Sequence, residues 1–288
     1  MGKVRKGEVN MLWSGKEVAQ AMLLEARQAI SENSAKQGRA PKLAIVVIGT
    51  DPASQVYIRN KLRSCDKVGI LNETIALEPT VSEAELLNVI KQLNADKTVD
   101  GILVQLPLPK HINVQIVQAA ISTDKDVDGF KAEHMGACWL NAPGLRPCTP
   151  AGIMRLLDYY NYDLTGKNVL IIGRSNIVAK PLAAMLLAKN ATVTIAHSKT
   201  KNLFELSQNM DLIVTSVGKA NFLPQTAIKA GVSLVDVGIN RTAEGKLVGD
   251  IDHACYELAE NYTPVPGGVG PLTVAQLIVN AVQAWLEH

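Results

Sequence analysis

The chain has 288 residues, 47% of them hydrophobic and 19% charged, enough for two medium-sized domains with a full core. Its formal charge is only +2, and after the short Lys3, Arg5, Lys6 cluster no basic run appears, which argues against a nucleic-acid partner. No signal-peptide apolar segment follows those basic residues and no apolar run approaches the roughly 18 residues of a membrane span, so the composition predicts a cytoplasmic protein with no membrane partner.

Residues 1–13 carry little signal. Ser14 with Glu17 then forms a capping-box pattern, and Val18, Met22, Ala26 and Ile30 recur at helical spacing, predicting a helix to about Gln37. A β-branched run over 43–48 reads as a strand ending at Gly49, and Asp51 with Pro52 supplies an N-cap and first-turn proline for the next helix. The alternation repeats with a strand over 74–77, a helix capped by Ser82 and Glu85 to about Asn94, and an apolar run over 101–105. Such an order predicts parallel βαβ units. A helix over 113–121 follows, and then a polar, glycine-containing stretch over 122–147, inside or just after which the domain boundary is expected.

Thr149 and Pro150 open a helix to about Tyr160, and the apolar strand 168–172 runs straight into Gly173. Further strands are predicted at 193–196, 212–216 and 233–237, with helices at 177–189 and 203–208. A proline- and glycine-rich loop over 264–271 precedes a helix over 273–286, whose face of Val274, Leu277, Ile278, Ala281, Val282 and Trp285 suits packing back on the first domain. The expectation is an α/β protein of two βαβ-type domains, residues 1–147 with 271–288 and residues 148–270, the second Rossmann-like, with the active site in a cleft between them.

Strand, Gly173, Arg174, Ser175 and helix start form the setting in which backbone N–H groups meet a pyrophosphate, although Ser175 stands at the second glycine of G-x-G-x-x-G. At the end of the next strand the sequence reads His197, Ser198, Lys199, Thr200, with no carboxylate to hold a free ribose hydroxyl. Arg174, Ser198 and Lys199 offer donors for a 2′-phosphate, which predicts NADP as the cofactor. Taken singly, each is as readily a solvated surface group. Tyr57 and Lys61 are four apart on one helix face and can act on one ligand; they precede Gly173 by much of the chain, which places the catalytic face in the other domain.

Asp124, Asp126, Asp128 and Gly129 begin like a calcium loop, but Met135 stands where a bidentate Glu is required, so calcium is rejected. Either Asp126 or Asp128 can face a nitrogen-rich ring. Cys65, Cys138, Cys148 and Cys255 lack CxxC or zinc-ligand spacing, so reduced thiols and no metal are expected.

Ser54 with Tyr57 and Lys61, VQLPLP at 104–109, KDVDG at 125–129, PCTP at 147–150, Gly173-Arg174-Ser175 and PVPGGVGP at 264–271 stand in one order across residues 49–273. In this set the chain resembles the bifunctional methylenetetrahydrofolate dehydrogenase/cyclohydrolases. The resemblance implies a homodimer acting on tetrahydrofolate one-carbon derivatives: NADP-dependent oxidation of 5,10-methylenetetrahydrofolate, then hydrolysis of the methenyl product to 10-formyltetrahydrofolate, in the service of purine biosynthesis. It further implies that Lys61 is the central catalytic group, that Tyr57 stacks on or orients the folate, that Gln105 tunes Lys61 and that Asp128 anchors the pterin. Leu106, Pro266, Gly267 and Gly268 would line the folate site, and Ile239 would join Gly173, Arg174, Ser175, Ser198 and Lys199 around the cofactor. A neutral Lys61 can relay a proton in the hydrolysis, whereas a charged one can hold the folate's N–C–N edge.

Three positions depart from the family pattern: Ala179 for a third glycine, His134 for an Asn and Leu272 for a Met. Other readings fit less well. A shikimate-dehydrogenase-like or short-chain enzyme does not match the order of Tyr57, Lys61 and Gly173 or the KDVDG segment, and an inactive nucleotide-sensing module would be expected to lose Lys61. The chain carries no Walker segment for a formyltetrahydrofolate synthetase.

Overall fold

The computed structural model describes residues 10–49 and 52–288, with side chains for all of these except 52–57. Lys3, Arg5, Lys6 and Asp51 therefore lie outside the described residues. In chain order the first part comprises β1 (Met11–Leu12), α1 (Gly15–Gln37), β2 (Lys42–Ile48), α2 (Pro52–Val68), β3 (Leu71–Leu77), α3 (Glu83–Ala95), β4 (Gly101–Val104), α4 (Val114–Ala120) and α5 (Ala132–Leu140). The second comprises α6 (Cys148–Tyr159), β5 (Asn168–Ile172), α7 (Ala179–Ala188), β6 (Thr192–Ala196), α8 (Leu203–Ser207), β7 (Leu212–Thr215), β8 (Ser233–Asp236), β9 (Asn240–Arg241), β10 (Leu247–Val248), β11 (Asn261–Tyr262) and α9 (Val269–Glu287). The chain divides into two compact units, one of residues 19–148 with 274–288, the other of residues through Val18 with 149–273.

The first unit is built on a three-stranded parallel sheet in the order β3-β2-β4. Alternation along the central β2 decides which helices each face receives. Leu43, Ile45 and Val47 share a core with Ala26 and Ile30 of α1, Ile58 and Cys65 of α2, and Leu277, Ile278, Ala281 and Trp285 of α9. Ala44 and Val46 point the other way, into Leu86 and Ile90 of α3 and Val117 of α4. Each such aliphatic side chain contributes about 1.5–3 kcal/mol by leaving water, so β2 is the mechanical centre of the unit. Among the described residues, α9 alone is long and apolar enough to cross a membrane, but 61% of its apolar window is buried inside the protein.

β3 is longer than the predicted 74–77. Its residues Leu71, Asn72 and Glu73 are exposed and carry no strand pattern, yet their backbone pairs in register with Lys42, Leu43 and Ala44. The stretch 122–147, expected to be loop, contains α5. Its N-cap Lys131 makes no side-chain cap bond, Gly136 sits mid-helix, and Trp139 and Leu140 are exposed, so neither capping nor amphipathic pattern announces it. Only its end is marked, by Asn141 at φ 50° in the left-handed region.

The second unit has a six-stranded parallel sheet in the order β1-β11-β8-β7-β5-β6. Leaving β1 aside, the chain order of these strands is 2-1-3-4-5, a doubly wound sheet whose direction of winding reverses between β5 and β7. Residues through Val18 group here rather than with 19–147, because β1 pairs with β11 and Trp13 stacks on Tyr160 and meets Tyr162 edge-on. The Ser14–Glu17 capping box forms by half: Ser14 Oγ accepts from Glu17 N at 3.3 Å, but Ser14 N donates to Tyr160 Oη, and the Glu17 carboxylate accepts instead from the hydroxyls of Tyr159 and Tyr160. α9 starts at Val269, four residues before the prediction, because Pro271 falls in its first turn, where a missing N–H costs nothing.

Candidate active site

In the first unit, α2 carries Lys61 and the chain leaving β4 carries Gln105. Lys61 Nζ donates to Gln105 Oε1 at 3.0 Å, and Gln105 Nε2 in turn donates to the Leu106 carbonyl at 2.6 Å. The amide is thus fixed with its oxygen toward the lysine, and both side chains remain partly open to solvent. Leu106 is joined to Pro107 by a cis peptide bond. Tyr57 is a position on α2 one turn before Lys61, and its side chain lies outside the described residues.

The two aspartates left open by the sequence part company. Asp126 is buried, and its Oδ2 accepts Lys131 N at 2.7 Å at the start of α5, so it closes the loop; burial raises its carboxyl. Asp128 stays partly accessible and feels the charge of Lys61. Burial nevertheless lifts its carboxyl to about 6 from the ordinary 3.8, Lys61 pulling it down and Asp126 pushing it up. A small recess lined by Leu106, Leu108, Val117, Ile121 and Phe130 has both carboxylates in its wall. Such a surface offers an apolar flank to a flat ring and a carboxylate to its N–H edge.

Three buried groups to which the sequence assigned no role hold this loop. Lys125 Nζ donates to the carbonyls of Leu93, Asn94 and Asp96 at 2.7–3.1 Å, capping the C-terminal end of α3 with a cation. Asn280 of α9 donates to the carbonyls of Val127 and Arg146, both at 2.8 Å. The Cys148 thiol donates to the Val127 carbonyl at 3.3 Å, and burial pushes it well above the usual thiol range. All four cysteines are buried and free of disulfides, and burial pushes those of Cys65 and Cys255 up to about 12, so they are inert thiols. His134, one of the departures, is buried and its Nε2 lies 2.9 Å from the Thr123 carbonyl, a tether between α5 and the loop.

In the second unit the loops after β5, β6, β7 and β8 gather at the C-terminal edge of the sheet, where the winding reverses. Gly173 sits at φ 142°, and a Cβ there would lie 2.6 Å from the Ser216 carbonyl oxygen. No other residue fits, and the bare backbone leaves a cradle that a phosphate can approach. The Ser175 hydroxyl accepts from the N–H groups of Val178 and Ala179 at 3.2 and 3.3 Å, so it caps α7, with its own proton left to donate. Arg174, Ser198 and Lys199 are exposed, and the turn that bears the last two is closed by Lys199 N donating to His197 Nδ1 and His197 N to Thr200 Oγ1. With no carboxylate at the end of β6, the donors fit a phosphorylated ribose. Ala179 is buried in the first turn of α7, small enough for the close contact a glycine would make.

Ile239, 45% exposed, follows β8. Pro266, Gly267 and Gly268 belong to this unit, not to the one bearing Lys61: Val265–Pro266 is cis, Gly267 has φ 107° and its carbonyl accepts from Lys16 N, and a Cβ on Gly268 would fall 2.6 Å from the Pro264 carbonyl oxygen. Leu272, another departure, is fully buried against Gly152. Behind the loops lie two buried aspartates, Asp236 and Asp250, that no sequence motif singled out.

Residues 13–128 match the tetrahydrofolate dehydrogenase/cyclohydrolase catalytic domain, and residues 147–288 match the NAD(P)-binding domain of the same family. The bifunctional protein FolD of Magnetococcus marinus is 50% identical over 270 residues, 93% of this chain and 95% of that protein. Among solved structures, the bifunctional FolD methylenetetrahydrofolate dehydrogenase/cyclohydrolase from Campylobacter jejuni is 42% identical with a TM-score of 0.94, covering 96% of this chain and 99% of that one. The methylenetetrahydrofolate dehydrogenase-cyclohydrolase from Trypanosoma brucei, complexed with NADP cofactor and inhibitor, is 30% identical with a TM-score of 0.91, covering 96% and 97%.

Proposed function

The chain belongs to the tetrahydrofolate dehydrogenase/cyclohydrolase family, and from that premise we propose how its own residues divide two consecutive reactions on one folate. The enzyme oxidises 5,10-methylenetetrahydrofolate to 5,10-methenyltetrahydrofolate with NADP and hydrolyses the product to 10-formyltetrahydrofolate. The observation that carries the residue assignment is the Lys61–Gln105–Leu106 hydrogen-bond chain beside Asp128.

NADP, when bound, accepts a hydride from the methylene carbon of the folate. Gly173 gives its phosphates a backbone cradle, while Arg174, Ser198 and Lys199 select the 2′-phosphate, Ser175 donates its remaining proton and Ile239 covers an apolar face. Asp128 accepts the pterin's N–H groups, and Leu106 forms the flank of that ring. Tyr57 orients the folate, and Pro266, Gly267 and Gly268 border it. Gln105 spends one acceptor on Lys61 and one donor on the Leu106 carbonyl, so the lysine is held in place with its other valences directed elsewhere. A neutral Lys61 takes up the proton that water gives up as it adds to the methenyl carbon, whereas a charged Lys61 holds the N–C–N edge and leaves that proton to solvent.

Absorbance-monitored turnover of methylenetetrahydrofolate with NADP and with NAD tests this reading, together with methenyl hydrolysis by Lys61→Met. Reduction of NADP in preference to NAD and loss of hydrolysis in the variant support it; a Lys61→Met protein that hydrolyses at the native rate removes Lys61 from the chemistry.

The domain division expected from the sequence, residues 1–147 with 271–288 for folate and 148–270 for NADP, is retained as a functional proposal with the N-terminal segment reassigned as above. The assembly proposed is a homodimer: seven-residue β3 is paired on one side only, an open edge that a second copy can cover. A sedimentation mass near that of one 30.9 kDa chain would reject it. The near-neutral charge and the buried α9 support a cytoplasmic enzyme without nucleic-acid or membrane partners, whose formyl product serves purine biosynthesis.

A further inference from the structure

Asp250 is fully buried, and among the described residues no lysine or arginine pairs with it. Its carboxylate is satisfied by N–H groups alone. Oδ2 accepts from Val217 N at 2.6 Å and Gly218 N at 3.1 Å, and Oδ1 accepts from Lys219 N at 2.9 Å and Asn240 Nδ2 at 3.0 Å. Three of these donors are consecutive residues of the loop that leaves β7, immediately after Ser216, whose carbonyl forms the floor under Gly173. The fourth follows Ile239.

Asp236, at the end of β8, holds Asp250 in turn. Its Oδ1 accepts from Asp250 N at 3.0 Å, Gly238 N at 2.9 Å and Thr215 Oγ1 at 3.1 Å, and its Oδ2 accepts from Ile251 N at 2.8 Å. Two glycines exist to admit these carboxylates: a Cβ on Gly238 would meet Asp250 Oδ1 at 2.3 Å, and one on Gly249 would meet Asp236 Oδ2 at 1.9 Å. Ile239 is therefore pinned from both sides, through Gly238 to Asp236 and through Asn240 to Asp250, while its own side chain stays 45% exposed.

We propose that Asp250 is a positioning residue for the dinucleotide: its carboxylate fixes the 217–219 loop and Ile239 at the edge of the sheet where NADP binds, without touching the cofactor. The inference rests on the cofactor reading given above. A carboxylate is required because an amide turns one of its two oxygens into a donor facing N–H groups, breaking about two hydrogen bonds at once.

The test uses the full-length chain and calorimetric titration with NADP. Native binding examines the site reading by itself. In Asp250→Asn the NADP dissociation constant is expected to rise about tenfold or more, as loss of two charge-assisted bonds dictates, and amide exchange at 217–219 to accelerate. Hydrolysis of methenyltetrahydrofolate without NADP, which uses Lys61 in the other unit, serves as the measure of intact folding. Native NADP affinity together with faster exchange in the loop overturns the proposal, as does tenfold weaker binding accompanied by loss of hydrolysis, unless Asn240→Ala, which releases only the Ile239 side of the clamp, weakens NADP binding while hydrolysis continues. An Asn240→Ala protein with native NADP affinity overturns it as well.

Discussion

Lys61 and Gln105 come from different elements, α2 and the chain beyond β4, and meet at 3.0 Å with the amide oxygen toward the lysine nitrogen. Removing either partner should separate the two activities. Lys61→Met is expected to lower methenyl hydrolysis by about 10²–10⁴, the usual worth of a positioned proton carrier. Gln105→Ala leaves the lysine in place but free to turn, so a loss of about tenfold is expected, concentrated in kcat. Measuring both steps on each variant checks this; equal losses in NADP reduction and hydrolysis would mean that the pair serves binding only.

Asp128 should impose a pH dependence. Its folded carboxyl lies at about 6, above the ordinary 3.8, chiefly through burial. Only the carboxylate accepts from a pterin's N–H groups, so kcat/KM for the folate is expected to rise with pH through about 6 and then level. Asp128→Asn should lower the plateau and abolish the inflection. The stability contribution has the opposite sense: a raised folded pKa favours the fold when protonated, fully below about 3.8, and that contribution is lost as pH climbs through about 6. Urea midpoints between pH 4 and 7 should therefore fall less in Asp128→Asn than in the native chain.

Gly173→Ala combines a positive φ with a Cβ 2.6 Å from a carbonyl oxygen. A cost of about 1–3 kcal/mol in unfolding free energy is expected, and NADP affinity should drop because the phosphate cradle is filled. An alanine variant that binds NADP as the native chain does would place the phosphates elsewhere.

Lys125→Met removes the cation from three carbonyls at the end of α3 while keeping the apolar stem. Unfolding by denaturant should show a loss of about 1–3 kcal/mol. Because Lys125 opens the KDVDG loop, the KM for folate should rise as well, with NADP binding unchanged; an unaltered KM would confine Lys125 to stability.

The sequence by itself determined what depends on local chemistry. Apolar runs such as 43–48 and 168–172 became strands paired on both sides, Ser82 and Glu85 closed a full capping box, and Gly173 marked the tight turn after β5 because only glycine tolerates that backbone. Tyr57 and Lys61 could be paired by helical spacing alone. Tertiary structure decided everything that rests on groups distant in the chain. That Asp126 is engaged by the Lys131 N–H just before α5, while Asp128 accepts no such bond and stays partly accessible, is a difference that no local pattern announces. The exposed polar residues of β3 form a strand because a neighbour's backbone pairs with theirs, and α5 forms without a cap or an apolar stripe to signal it. Asn280, Asp236 and Asp250 look like ordinary polar residues in a row of letters, and the KDVDG motif does not say what its Lys125 binds. Their weight comes from burial, where a cation, amide or carboxylate must find every partner inside the protein, and the sequence does not say which backbone groups those partners will be.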